Sequence, residues 1–168
     1  MTSPCLTQNS FDLRPRGRLR LCVHQEQQLL AERRVRNIVL RQGALVIANL
    51  FAARDGAAGI QKIQIGFGRE GATAETTSLV PPDDATIAAT ALVSDVAPGD
   101  FKVVSDKADM VTVLVSTVFR PSVELVDVTE AGLLAGDKLY NQVVFEPVTL
   151  RPGQDVTFFW EIDFPFGH

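Results

Sequence analysis

The sequence predicts a mainly β protein, an antiparallel β-sandwich with one short α-helix, and three observations carry that expectation. Segments such as "GRLRLCVH" (Gly17–His24) and "VTFFWEIDF" (Val156–Phe164) alternate apolar and polar residues with a period of two, as half-buried strands do. One stretch, "RQGALVIANLFAARDG", instead spaces its apolar residues for a helix. A chain of 168 residues, 46% hydrophobic and 21% charged, supports one core and is too short for two. The expected organisation is a flexible N-terminal arm over 1–13, then a single sandwich domain over 14–168 with a long loop at about 70–100.

In Gly17–His24, Leu19, Leu21 and Val23 point one way, and Arg18, Arg20, Cys22 and His24 the other. "QEQQ" is a polar turn and "LLAERRVRNIVL" its return strand, so Gly17–Leu40 forms a hairpin. A single helix over Gln25–Phe51 competes on the stripe Val35, Ile38, Val39 and Leu45, but Gly43 and the β-branched "RNIVL" oppose it. The helix is expected over Gln42–Ala53. Ala44, Ile47, Ala48 and Phe51 share one face, widened by Leu45 and Leu50, which predicts a mostly buried helix.

"IQKIQIGFG" alternates again, with Ile63, Ile65 and Phe67 on one side. Glu70–Gly99 is small and polar, punctuated by Pro81–Pro82–Asp83–Asp84 and Pro98–Gly99, with one short strand near Thr90–Val93. Loops of that length are commonly functional. Met110–Phe119 is apolar or small on both faces and reads as a covered central strand, stopped by Pro121; "VELVDVTEAGLL" follows. In Leu139–Phe164 two long strands flank the turn "RPGQD". Val156, Phe158, Trp160, Ile162 and Phe164 line the apolar face and Leu139, Val143 and Phe145 match it. Trp160 reads as core, and Tyr140 is either exposed or covered by the helix.

Charge is unevenly placed. From Met1 to Arg41 eight arginines stand against Asp12, Glu26 and Glu32, a local +5, while the remainder carries −9. The basic part lacks the interleaved aromatics that stack bases, so no nucleic acid is expected. A basic hairpin meeting an acidic face of a neighbouring copy fits the split. The expected assembly interface is Arg14, Arg16, Arg18, Arg20, Arg33, Arg34 and Arg36, and the expected contact loop is Pro81, Pro82, Asp83 and Asp84.

The residues for chemistry are few. "GFGREG" (Gly66–Gly71) has the glycine spacing of a dinucleotide loop but is followed by "ATAETTSLVPPDD" and not by a helix, so its glycines read as turn residues. The carboxylates Asp83–Asp84, Asp106 with Asp109, Asp127 with Glu130, and Glu161 with Asp163 match no calcium-loop spacing. No serine sits in a nucleophile-elbow setting, and His24 is the only non-terminal histidine. Cys5 and Cys22 read as reduced thiols, with a bridge between them as the alternative. No apolar run is long enough for a membrane helix, and the N-terminus does not read as a secretory signal. The expectation is no catalytic residue, no metal and no cofactor.

Several segments resemble small tail proteins of bacteriophages and of phage-derived contractile injection systems. Arg36, Asn37, Val39, Gly43, Leu50 and Phe51 fall on a pattern of basic hairpin, Asn-Ile-Val step and glycine-opened helix. Gly66 and Gly68 fall on a strand ending in a Gly-x-Gly turn. Glu130, Ala131, Gly132, Leu133, Leu139, Val143, Phe145, Pro147, Trp160, Glu161 and Ile162 fall on the closing signature. The likeness spans about Arg16 to Phe164 and thins between Gly71 and Met110. It implies a non-enzymatic structural subunit of a phage tail or phage-tail-like particle, at the baseplate or fibre base. Such a part is located in a virion or particle assembled in the bacterial cytoplasm. Its partners are itself, in a symmetric threefold or sixfold oligomer, and other tail or baseplate proteins. The competing reading is a receptor- or glycan-binding module that uses the long loop and Tyr140.

Overall fold

The computed structural model describes residues 15–166. Chain order is β1 (Arg16–Gln25), β2 (Gln28–Val39), α1 (Arg41–Phe51), β3 (Lys62–Gly66), a 3-10 turn (Ala89–Leu92), β4 (Val93–Asp95), a second 3-10 turn (Pro98–Asp100) and β5 (Phe101–Lys107). Then come β6 (Met110–Phe119), β7 (Leu125–Ala135), β8 (Lys138–Leu139), β9 (Asn141–Leu150) and β10 (Asp155–Pro165). The strands form one ten-stranded sheet in the order β4-β3-β7-β9-β2-β1-β10-β6-β5, with β8 on β7, and every pairing is antiparallel. The mainly β class with one α-helix is therefore observed among the described residues. The sheet is continuous and curls into a half-barrel, rather than splitting into two separately stacked layers.

The pairing between β2 and β9 is short for strands of their length. Only Ile38 and Val39 pair there, with Gln142 and Asn141. Where the main-chain ladder stops, the Arg33 guanidinium takes over, its Nε donating to Glu146 O (3.0 Å) and its Nη2 to Pro147 O (2.9 Å). The long strands at Leu139–Phe164 do not pair with each other. β9 lies between β7 and β2, and β10 between β1 and β6, so the intervening turn carries the chain across the curl.

Inside the curl the alternation does what the sequence demands. Leu19, Leu21 and Val23 of β1 face Trp160, Phe158 and Val156 of β10 in register, and all six are buried. The Phe158 and Trp160 rings stack with centroids 6.0 Å apart. Ile63, Ile65, Leu125, Leu133 and Leu150 complete the same cluster from the other half of the sheet.

Three expectations change. The helix is present but not mostly buried: Gly43 and Val46 are covered, while Ala44, Leu45, Ala48, Leu50 and Phe51 are exposed, Phe51 at 89%. The face is chosen by Gly43, which rests against Tyr140 and turns the larger apolar residues outward. β6 is internal to the sheet, but its outer face is covered only in part: Thr112 is buried, Leu114 half-buried and Ser116 exposed. The segment 70–100 is tied down through buried Leu79, Leu92 and Val96, and its short strand is Val93–Asp95 after a 3-10 turn. The arm over 1–13 and Cys5 lie outside the described residues; Cys22 is a buried free thiol although its strand phase points outward.

The β1–β2 turn is written against its own geometry. Glu26 and Gln27 both have positive φ, +49° and +70°, between the paired Gln25 and Gln28. Two-residue hairpin turns of this kind favour Asn-Gly. The double change Glu26→Asn with Gln27→Gly is expected to raise stability by about 1 kcal/mol, a Tm gain of about 2–4 °C. A lower Tm by calorimetry would mean that Glu26 or Gln27 makes a contact worth more than the strain.

Candidate functional site

The strand register that buries Leu19, Trp160 and Val115 puts their neighbours on the outside. Arg18 stands opposite Arg36 of β2 and Glu161 of β10; Arg20 stands opposite Arg34 and Phe159. Leu114 and Ser116 of β6 continue the rows. Together with Gly99–Lys102 at the start of β5, these residues line a groove of about 930 Å³ on the outer face. That is near the upper end of the roughly 300–1,000 Å³ typical of ligand sites.

Five cations line the groove (Arg18, Arg20, Arg34, Arg36 and Lys102) against two carboxylates, Asp100 and Glu161. Arg18 Nη2 donates to Glu161 Oε1 (2.6 Å) and Asp163 Oδ2 (3.2 Å), and the buried Asp163 also accepts from Thr112 Oγ1 (2.8 Å). Arg20 and Arg34 share one acceptor, Glu32 Oε1, each at 2.7 Å. The hydrogen bonds from Arg20 and then Arg34 hold the Glu32 carboxyl below the ordinary glutamate range, and Glu32 in turn raises Arg20. Arg36 and Lys102 form no ion pair among the described residues. The floor is apolar: Phe159 is 40% exposed, and the Arg20 guanidinium lies 5.7 Å from its ring centroid. A surface with surplus guanidinium donors around an aromatic floor binds carboxylate-bearing apolar surfaces, because the planar fork matches a carboxylate and stacks on rings.

Of the arginines singled out from sequence, Arg18, Arg20, Arg34 and Arg36 are brought together here. Arg16 is on the same strand face, at the register of Asp163. Arg33 points away and binds the β9 carbonyls, so its role is to hold the sheet closed. Arg14 lies outside the described residues. Pro81, Pro82, Asp83 and Asp84 form an exposed shoulder with Val80, Val126 and Asp127 around a smaller recess of about 350 Å³.

A buried polar cluster, which charge counting from sequence passed over, holds that shoulder. Glu130 is fully buried. Its Oε1 accepts from Gly68 N (3.0 Å) and from Val80 N, and its Oε2 accepts from Gln142 Nε2. A Cβ at Gly66 would lie 2.5 Å from Glu130 Oε1 and one at Gly68 2.8 Å from Oε2. The Gly-x-Gly spacing therefore lets the backbone close around a carboxylate; no phosphate-binding helix follows it. Thr129 Oγ1 donates to Gly68 O (2.7 Å). Three residues on which the resemblance rests thus meet one another, Gly66 and Gly68 on Glu130, while Gly43 packs on Tyr140.

Tyr140 is buried at 3% exposure, its hydroxyl without a partner among the described residues, so it is not a contact surface. Burial pushes its phenol up to about 12. A raised folded value means that the neutral phenol's share of stability is complete below about 10 and is lost as pH rises towards about 12. It is the chain's single tyrosine. Its phenolate absorbance is expected to half-titrate near 12 in the folded protein and near 10 in denaturant. A folded midpoint near 10 would mean that solvent reaches the ring.

Among the described residues no three His, Cys, Asp or Glu side chains are grouped to hold a metal ion, and no helix is long and apolar enough to cross a membrane. No protein-family model, no curated protein and no solved structure matches the chain.

Proposed function

We propose that the protein is a structural subunit of a phage tail or phage-tail-like particle, at the baseplate or fibre base, that works through protein–protein contacts. The observation that carries the assembly part is the outer-face groove: an apolar floor ringed by arginines with too few carboxylates of their own to neutralise them. The particle itself rests on the sequence resemblance. Read this way, the protein supplies a rigid block, the part expected of a β-sandwich, and presents charge at fixed spacing to its neighbours. Its partners are further copies of itself and other tail or baseplate proteins, and its place is the particle assembled in the bacterial cytoplasm.

The test is sedimentation of the native host lysate, probing the fractions for this chain and imaging positive ones by immunogold electron microscopy. Travel with tail-shaped particles supports the reading, and the label's position separates baseplate from fibre. Recovery only near 18.3 kDa or as a small soluble oligomer overturns the tail assignment.

A receptor- or glycan-binding module is the second reading. Phe159, an exposed ring inside a polar-rimmed groove, favours it. Retention on a glycan array that disappears in Phe159→Ala would bring it forward.

A further inference from the structure

We propose that the arginine groove of one copy receives the Val80–Asp84 shoulder of the next, so that copies associate head to tail. The inference rests on the self-assembly part of the function proposed above and adds which surfaces meet. Glu70–Asp100 contains six carboxylates, Glu70, Glu75, Asp83, Asp84, Asp95 and Asp100, and neither lysine nor arginine. Of these, Asp83 and Asp84 are exposed at the tip of the shoulder and form no ion pair among the described residues; Asp84 accepts only from Thr86. The unneutralised acids here match the unneutralised bases of the groove, Arg36 and Lys102, and the shared Arg20–Glu32–Arg34 cluster.

Apolar surface matches as well. Val80 is 49% and Val126 57% exposed beside the aspartates, as Phe159 is exposed between the arginines. The shoulder is already rigid. Pro81 and Pro82 fix its backbone, Phe67 N donates to Val80 O (3.0 Å), and Val80 N is held by Glu130. A preordered element loses little entropy on docking. Within one copy the two surfaces are separate: the recess at the shoulder and the groove share no lining residue.

Because the two surfaces differ, the contact is heterologous. It continues from copy to copy until a ring closes or a filament grows, and it does not stop at a twofold dimer. Oppositely charged surfaces also make association fall with salt.

The experiment uses the purified full chain in analytical ultracentrifugation at low and high salt. Wild type is expected to form species larger than a dimer that dissociate with salt. Arg34→Glu with Arg36→Glu, and separately Asp83→Lys with Asp84→Lys, should each weaken association at least about tenfold, or about 1.4 kcal/mol per contact. All four residues are exposed, so an unchanged Tm shows that folding is intact. Carrying all four changes in one chain restores opposite charges across the contact and should recover large species. A monomeric wild type, a dimer limit, or loss of assembly in one double variant but not the other overturns the proposal. So does capture of a single-stranded oligonucleotide by the groove that is lost in Arg34→Glu with Arg36→Glu, which would make the occupant a nucleic acid. None of these outcomes decides whether the native chain sediments with tails, so the two readings fail separately.

Discussion

Replacing Glu130 by alanine is expected to destabilise the protein by about 3–5 kcal/mol, or roughly 6–20 °C in Tm for a chain of this length. Removal of the carboxylate leaves three donors without this acceptor, Gly68 N and Gln142 Nε2 buried and Val80 N part-buried. Each orphaned donor costs about 1–3 kcal/mol, partly offset because a charge no longer has to be buried. Glu130→Gln is expected to cost less than half as much. Its remaining oxygen still accepts from the two backbone amides. Its new amide faces Gln142, whose Oε1 is otherwise unpartnered and can accept once that side chain turns over. Chemical denaturation of both variants measures this. A loss below about 1 kcal/mol for alanine, or equal losses for the two variants, would show that the cluster does not depend on accepting these hydrogen bonds. Hydrogen exchange at Val80 gives an independent check, since the amide should lose protection first in Glu130→Ala.

The second large effect is expected at Gly43, where two rules oppose each other. Alanine in place of glycine inside α1 favours the helix by about 1 kcal/mol. The added Cβ would, however, stand 2.1 Å from Tyr140 O and 3.0 Å from Tyr140 Cδ2. Tyr140 O already accepts from Leu40 N (3.1 Å) at the start of the helix, so neither backbone can yield alone. Overpacking of this kind costs about 1–3 kcal/mol beyond what propensity returns. Gly43→Ala is therefore expected to be destabilising overall, with the helix lifted from the sheet. The single tyrosine reports it: the phenolate midpoint should move from about 12 towards about 10 as water reaches the ring. Increased stability with an unmoved midpoint would show that the helix has room to shift and that Gly43 does not set its position.

Much of the architecture was legible because a period of two needs no partner to be read. The runs Leu19–Val23 and Val156–Ile162 state which side is inside, and the register then places Arg18, Arg20, Arg34 and Arg36 on the other side. Those four arginines could be collected from sequence for that reason; Arg33, expected with them, has the odd phase that sends it to the β9 carbonyls. The shoulder Pro81–Asp84 was legible as an acidic, stiff segment, but what fixes it was not. Glu130 reads in sequence as one more surface carboxylate near Asp127; it becomes a buried acceptor only when β3, β7 and β9 bring Gly68, Val80 and Gln142 around it.

The sequence by itself determined most of the long strands, the single helix and the charge separation along the chain, because these follow from local periodicity and composition; β5 and β8 were not read from it, and β4 lies a few residues later than expected. The tertiary structure decided which helical face is buried, that Tyr140 is covered, that β9 and β10 go to different parts of the curl, and that four arginines line one groove. Each of these depends on contacts between residues far apart in the chain. The direction of α1, for example, is set by the close approach of Gly43 to a carbonyl 97 positions later, which neither helical spacing nor hydrophobicity encodes.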